Sequence, residues 1–236
     1  MALIVLWDID HTLINNAGVS KEIYGAAFEA VARCQPSCPA VTDGRTDRLI
    51  MREMFEREGL AQPDWSTVQA ALEAAGRERF EELRQRGRAL PGALDALIAV
   101  AKEPGIISSV LTGNIPANAR LKLAAFGLDS LVDLEVGAYG ADHLERAALV
   151  SVARDHICAA YSVSKGTAVV LIGDTPRDVE AALTNGAQIV AVATGVNSAA
   201  ELRGAGASVV LADLSDTTAL LAHFKYLATS ATPGRT

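Results

Sequence analysis

The residues able to do chemistry in this chain stand where apolar runs stop. The first run, Leu3-Ile4-Val5-Leu6-Trp7, ends in Asp8-Ile9-Asp10-His11-Thr12, two carboxylates one residue apart. Residues i and i+2 of an extended segment point the same way, which would aim Asp8 and Asp10 at one spot. Two close carboxylates repel, and both stay ionised only if they share a cation. The competing account is an Asx-type turn ending a strand, where Asp is common without any function.

A second acidic cluster follows another apolar run, Ala168 to Ile172, as Gly173-Asp174-Thr175-Pro176-Arg177-Asp178. Thr175 as helix cap, Pro176 in the first turn and Asp178 near the positive helix end account for part of it. That account leaves Asp174 unexplained, since Asp174 stands to its strand as Asp8 stands to the first one. Carboxylates converging from two strand ends, with no His or Cys among them, form a hard oxygen site of the kind that suits Mg²⁺. The third stretch, Thr112-Gly113-Asn114, lies between an apolar run and a helix start. It offers a hydroxyl, a close-approach backbone and an amide at an anion-binding helix end, or else an ordinary turn.

The elements that must position these residues can be read from periodicity. Continuously apolar segments at 3–7, 106–111, 131–136, 168–172, 188–193 and 208–211 alternate with amphipathic ones, which predicts a parallel sheet covered on both faces. Helices are expected over 93–103, 116–126, 144–157, 176–184 and 217–227, with Ser198 and Glu201 forming a capping box. In such sheets ligands bind outside the carboxyl ends of the strands, where all three polar stretches fall. From Asn15 to Leu90 no strand candidate occurs; three helices are expected, opened by Ser20, by Thr46 or Asp47, and by Asp64 or Ser66. The expected organisation is a Rossmann-like three-layer α/β core of residues 1–14 and 91–236 with an inserted all-α cap of residues 15–90. The small polar tail after Ala228 is expected to be disordered.

Composition narrows the classes. At 236 residues, with 50% hydrophobic and 21% charged, the chain suits a well-packed soluble α/β protein. A formal charge of -7 argues against nucleic acid or an anionic membrane as partner. The Arg-rich run from Arg77 to Arg88 is interleaved with Glu and reads as a solvated helix face. Cys34, Cys38 and Cys158 make no metal pattern, so reduced thiols and a cytosolic location are the expectation. The apolar run after Met1 is too short for an anchor and lacks the basic flank of a signal peptide.

Taken together, these stretches resemble the haloacid dehalogenase-like phosphohydrolase superfamily. Its Asp-x-Asp-x-Thr motif matches Asp8 to Thr12, its strand-ending Thr or Ser matches Thr112, and its Gly-Asp-x-x-x-Asp matches Gly173 to Asp178. The closest look is to phosphoglycolate-phosphatase-like members with a helical cap. The resemblance implies that Asp8 attacks phosphorus and that Asp10 serves as acid and then base. It implies further that Asp8, the Asp10 carbonyl and Asp174 hold Mg²⁺ with help from Asp178, and that Thr112 with nearby Gly113 and Asn114 binds the phosphoryl oxygens.

Two departures stand out. The family's Lys, often followed by Pro, has no counterpart: Lys165 precedes its strand at the wrong end of the sheet, and Lys122, mid-helix, is expected to be solvated. Arg146 is the best substitute, since a guanidinium can bridge phosphate and carboxylate. His11 stands where many relatives carry Gly, and with Arg45 of the Asp43-Gly44-Arg45-Thr46 turn it is a candidate substrate contact. The expected function is hydrolysis of a small phosphorylated metabolite. The alternatives are a phosphoryl-transferring mutase of the beta-phosphoglucomutase kind, or a catalytically silent protein that binds a phosphorylated metabolite.

Overall fold

The computed structural model describes residues 2–230. The chain runs β1 (Leu3–Trp7), β2 (Ile14–Asn15), α1 (Val19–Ala32), α2 (Asp47–Arg57), α3 (Trp65–Glu78), α4 (Phe80–Arg86), β3 (Arg88–Ala89), α5 (Ala93–Ala101) and β4 (Ile106–Leu111). It continues through α6 (Pro116–Ala124), β5 (Asp133–Ala138), α7 (Arg146–Tyr161), β6 (Ala168–Gly173), α8 (Pro176–Thr184), β7 (Gln188–Val192), α9 (Ala199–Gly204), β8 (Val209–Leu211) and α10 (Thr217–Ser230). Six strands form one sheet in the order β5-β4-β1-β6-β7-β8, and every pairing in it is parallel.

β1 explains why its sequence is apolar throughout. It lies mid-sheet, between β4 and β6, and its alternating side chains enter two separate cores. Leu3, Val5 and Trp7 pack with α5 and α10 residues such as Leu97 and Phe224; Ile4 and Leu6 pack with Leu149, Val150 and Val179 of α7 and α8. A strand covered on both faces cannot accept a charge until it ends, so Asp8 is the first residue at which one can appear. The result is the three-layer α/β core expected from the alternation.

Between the two strands of an antiparallel ribbon, β2 with β3, lie four helices rather than the three expected. The third is broken at Arg79, and the break lets Leu72 and Ala75 before it and Leu83 after it enter the same core. That core is distinct from the two beside the sheet, and it takes in Ile115 from the start of α6. Ser20 does not open α1; Gly18 does, with φ of 85°, and Ser20 is buried instead. Two further boundaries shift: β5 begins at Asp133, and α7 starts at Arg146 and runs to Tyr161. α10 extends to Ser230, so the start of the expected tail is helical, and residues 231–236 lie outside the described residues.

The helical segment meets the sheet at a seam without room for side chains. The Asp47 N–H donates to the Gly113 carbonyl at 2.7 Å, and the Thr46 hydroxyl donates to the Leu144 carbonyl at 2.7 Å. A Cβ at Gly140 would stand 1.7 Å from the Gly113 oxygen and 2.8 Å from the Asp47 nitrogen. Three backbone segments therefore converge where only glycine fits. Gly140→Ala is expected to lower stability by more than about 2 kcal/mol in urea unfolding. Gly166→Ala, where the nearest atom is a side-chain oxygen 3.6 Å away, should change it by less than about 0.5 kcal/mol. Similar values for the two would contradict the seam.

Candidate active site

Register brings the three polar stretches together. Trp7 is level with Val110 of β4 and Ile172 of β6, so Asp8, Thr112 and Asp174 emerge side by side from neighbouring strand ends. Adjacent strands lie about 4.8 Å apart, close enough for these side chains to share one ligand. Asp8, Asp10, His11, Arg45, Thr112, Gly113, Asn114, Arg146 and Asp174 all line one cleft; Asp178 sits just beneath, fully buried.

Asp8, Asp174 and Asp178 offer oxygens within 4.8 Å of one another, and all three residues are buried. Arg146, the first residue of α7, reaches into this group. Its Nε donates to Asp178 Oδ1 at 2.8 Å, and its Nη2 lies 2.6 Å from the same oxygen and 2.8 Å from Asp8 Oδ1. Those Nη2 approaches have ion-pair distances without hydrogen-bond angles. Asp178 is then committed on both oxygens, because Oδ2 accepts from the Thr175 N–H and hydroxyl in a capping box. The helix-cap account and the site account of Asp178 are thus both satisfied by one side chain. Asp174 accepts from the Thr12 hydroxyl at 3.3 Å.

Asp10 belongs to a different network. Its Oδ2 accepts from Lys122 Nζ at 2.6 Å and from Asn114 Nδ2 at 2.8 Å. Its Oδ1 accepts from Asn16 Nδ2 at 2.6 Å and, weakly, from Ser20 at 3.4 Å. Lys122 also donates to Asn114 Oδ1 at 2.6 Å. Lys122 is therefore not solvated as its mid-helix place suggested: it is 2% exposed and is the counter-charge of Asp10. The signal in the sequence is the spacing of four from Asn114, just ahead of α6, to Asn118 and Lys122 on one face of it. Asn16 and Ser20 carried no signal, being single polar residues beside a turn. Lys165 is on the surface, paired with Asp155.

The carboxylates of Asp8 and Asp10 are held by different cations, Arg146 and Lys122. After β1 the chain curls tightly, with the Thr12, Leu13 and Ile14 N–H groups all directed at the Ile9 carbonyl and His11 at φ of 61°. The extended i, i+2 relation is lost, and each carboxylate meets its own cation. A left-handed backbone at His11 favours glycine, which gives a physical reason for the Gly that many relatives carry there. The His11 carbonyl is held by the Thr194 hydroxyl at 2.5 Å.

The electrostatics of the two acids diverge accordingly. Burial, with repulsion from Asp178 and Asp10, outweighs the Arg146 guanidinium and raises Asp8 from 3.8 to about 7. Burial raises Asp174 as well, with Asp8 and Asp178 adding to it. Burial acts on Asp10 too, but the charge and hydrogen bond of Lys122 and the bonds from Asn114 and Asn16 overcome it, and Asp10 falls to about 2. Arg146 stays protonated: burial disfavours its charge, and Asp178 and Asp8 more than restore it.

Three clustered carboxylates against one guanidinium leave a deficit of two positive charges. A divalent cation fits that deficit, and the all-oxygen donor set suits a hard ion such as Mg²⁺. Asp8 and Asp174 have oxygens to give; Asp178 acts by holding Arg146. For a phosphoryl group, the Thr112 hydroxyl proton and the Gly113 N–H take no partner among the described residues, whereas the Asn114 amide is committed to Asp10 and Thr112. Arg45 lines the cleft but is ion-paired with Glu53.

Two outcomes follow from this charge arrangement. Asp8 has a folded pKa above its unfolded value, so without metal its stabilising contribution is present below about pH 4 and is lost as pH rises through about 7. A cation binds the ionised form and reverses that loss. Millimolar Mg²⁺ is expected to raise Tm by roughly 4–8 °C at pH 8 and far less at pH 5; equal shifts, or none, would count against a metal site. Lys122→Met leaves the partly buried Asp10 carboxylate without its cation and should lose about 2–4 kcal/mol of stability at pH 7, partly regained on adding Asp10→Asn. Urea titration of the three proteins measures this.

Comparison with known proteins agrees with the geometry. The chain resembles in fold a hydrolase from Pseudomonas syringae, at 22% identity and a TM-score of 0.63, covering 96% of this chain and 99% of that one. A predicted phosphoglycolate phosphatase from Haemophilus somnus 129pt matches at 18% identity and 0.63, over 94% and 98% of the two chains. A candidate beta-phosphoglucomutase from Bacteroides vulgatus matches at 17% and 0.66, over 96% and 90%. No curated protein sequence matches the chain. No helix among the described residues is long and apolar enough to cross a membrane. The family model for haloacid dehalogenase-like hydrolases matches residues 5–183, three quarters of the sequence, and with it the chain belongs to that family.

Proposed function

We propose that the protein is a Mg²⁺-dependent phosphatase that hydrolyses a small phosphorylated metabolite through a phosphoryl-Asp8 intermediate, with residues 15–90 acting as a cap over the site. The observation that carries this reading is the buried group Asp8, Asp174 and Asp178, two positive charges short, beside the unpartnered Thr112 hydroxyl and Gly113 N–H. Phosphoryl-transfer catalysis is mostly positioning and charge stabilisation, and this site offers both.

Asp8 supplies the nucleophilic oxygen. Its bond to phosphorus forms as the bond from phosphorus to the alcohol oxygen breaks. Asp10 rests ionised at neutral pH, so the proton for the leaving oxygen arrives with the monoanionic ester and passes through the Asp10 carboxylate. Once the alcohol has left, Asp10 takes a proton from water as its oxygen attacks phosphorus, which frees Asp8 and inorganic phosphate. The Thr112 hydroxyl and the Gly113 N–H hold the transferring oxygens, Arg146 holds Asp8 in place, and the four donors around Asp10 fix its direction. A divalent cation held by Asp8 and Asp174 would neutralise charge on the phosphoryl group and keep Asp8 ionised.

Asp8→Asn is expected to lower release of phosphate from p-nitrophenyl phosphate by at least about 10³-fold, and chelation of divalent metal by a similar factor. In the wild type, kcat/KM should fall as pH rises above about 6, where the ester loses its second proton. Undiminished turnover in Asp8→Asn would remove the nucleophile assignment. Binding of phosphate esters without turnover would leave a metabolite-binding protein instead.

A further inference from the structure

The phosphoryl end of the cleft is formed by strand ends; its other wall comes from the loop ahead of α2 and the start of α1, through Thr42, Asp43, Arg45, Ser20 and Tyr24, with His11 at the edge. The cleft is small. Its volume of about 50 Å³, at about 10–15 Å³ for each water position, holds a few waters, or a phosphoryl group and little more.

The charges on this wall are unusual for a phosphate site. Arg45 is its one cation among the described residues, and Glu53, in the second turn of α2, is ion-paired with it. Of the other cations nearby, Arg146 is committed to Asp8 and Asp178 and Lys122 to Asp10, while Arg177 packs beside Gly44 without lining the cleft. Lys122 compensates Asp10, so Asp43 is the carboxylate left uncompensated on this wall. The side chains of Thr42, Asp43 and His11 make no hydrogen bond or ion pair with another described residue. What the alcohol end of a substrate meets is therefore a free carboxylate, a free hydroxyl and an imidazole. Tyr24 is not available, since its hydroxyl donates to Asp47 at 2.6 Å. A carboxylate or second phosphate on the leaving group would enter beside Asp43 with no uncommitted cation lining the cleft, and such like-charge contacts cost several kcal/mol.

Resting on the phosphatase reading above, we propose that the substrate is a short phosphomonoester whose alcohol part is neutral or carries an ammonium group. Its hydroxyl or amino groups are received by Asp43 and Thr42. The Arg45–Glu53 pair is the element that turns away carboxylated and doubly phosphorylated esters, so Arg45 acts through its masking rather than as an anion reader. The same masking separates this cleft from that of a mutase, which must hold a second phosphate at this end.

The test compares glycerol 3-phosphate and phosphoethanolamine with phosphoglycolate and glucose 1,6-bisphosphate, using wild-type and Glu53→Gln protein with Mg²⁺. Wild-type kcat/KM for the first two should exceed that for the anionic pair by at least about tenfold. Glu53→Gln should raise phosphoglycolate relative to glycerol 3-phosphate by about fivefold or more, as Arg45 is released. Equal or better turnover of phosphoglycolate by the wild type overturns the substrate class, and an unmoved ratio in folded Glu53→Gln overturns the role of the pair. If that variant does not fold, the wild-type ranking decides. Calorimetric binding of the same four esters to Asp8→Asn separates this inference from the phosphatase reading. Equal or tighter binding of the anionic esters overturns the inference. Tighter binding of the neutral and amino esters, with no turnover of p-nitrophenyl phosphate by the wild type, supports it while removing the phosphatase reading.

Discussion

Charge compensation around a small, largely buried cleft is the constraint on which the rest of this structure depends. Asp8, Asp10, Asp47, Asp174 and Asp178 gather around the carboxyl ends of three strands, and four of them are buried. Ionised carboxylates in such a place are costly unless paired or hydrogen-bonded. Each has been given a partner of a different kind. Asp178 has Arg146 and its helix cap, Asp10 has Lys122 and three neutral donors, and Asp47 has Tyr24 and the Ile115 N–H at 2.8 Å. Asp8 and Asp174 are the pair left short. The deficit is thereby concentrated on the two carboxylates that face the cleft, which is where a divalent cation would be of use.

The helical segment is tied to this arrangement by backbone contacts as well as by apolar packing on α6. Asp47 stands at the start of α2, yet its carboxylate accepts from Ile115 at the head of α6 and its N–H donates to Gly113. A Cβ at Gly113 would be 1.9 Å from the Arg45 carbonyl, so the Thr112–Asn114 loop and the Arg45 loop touch main chain to main chain. Further back, Gly76 of α3 leaves space for Asn118 of α6, whose amide donates to the Leu72 carbonyl at 3.1 Å. α6 thus bears Lys122 on one side of the seam and seats the helices on the other. Asp47 is raised to about 6, burial outweighing its hydrogen bond from Tyr24 and the pull of Lys122.

How much of this could be read from the sequence differs from one element to the next, for physical reasons. Strand-end acids were legible because a strand buried on both faces excludes charge until it stops, which makes Asp8 and Asp174 conspicuous. The alternation of period-two and period-3.6 segments carried the α/β core with errors of only a few residues at element ends. Lys122 was not legible in the same way. A lysine in the middle of a helix is ordinarily solvated, and only the carboxylate arriving from a residue 112 positions earlier makes its burial tolerable. The break at Arg79 was hidden for a similar reason: α3 and α4 read as one amphipathic stretch, and the turn between them answers to the shape of the core they share. The separation of Asp8 from Asp10 depended on a tight curl after β1, which alternation along a strand does not announce.

That separation gives two neighbouring acids opposite characters from one loop. Asp10, saturated with donors and drawn down to about 2, is a fixed base and cannot by itself hold a proton near neutral pH. Asp8, raised to about 7, is partly protonated there and is a poor nucleophile in that form. Arg146 alone does not correct this, because its charge is divided between Asp8 and Asp178. A second positive charge is required before Asp8 becomes a full carboxylate. On the proposed reading, the cation that fits the cleft would therefore also arm Asp8 as the nucleophile. Metal occupancy and ionisation of Asp8 would then be one equilibrium, set by how β1, β6 and α8 place three carboxylates around the one guanidinium of α7.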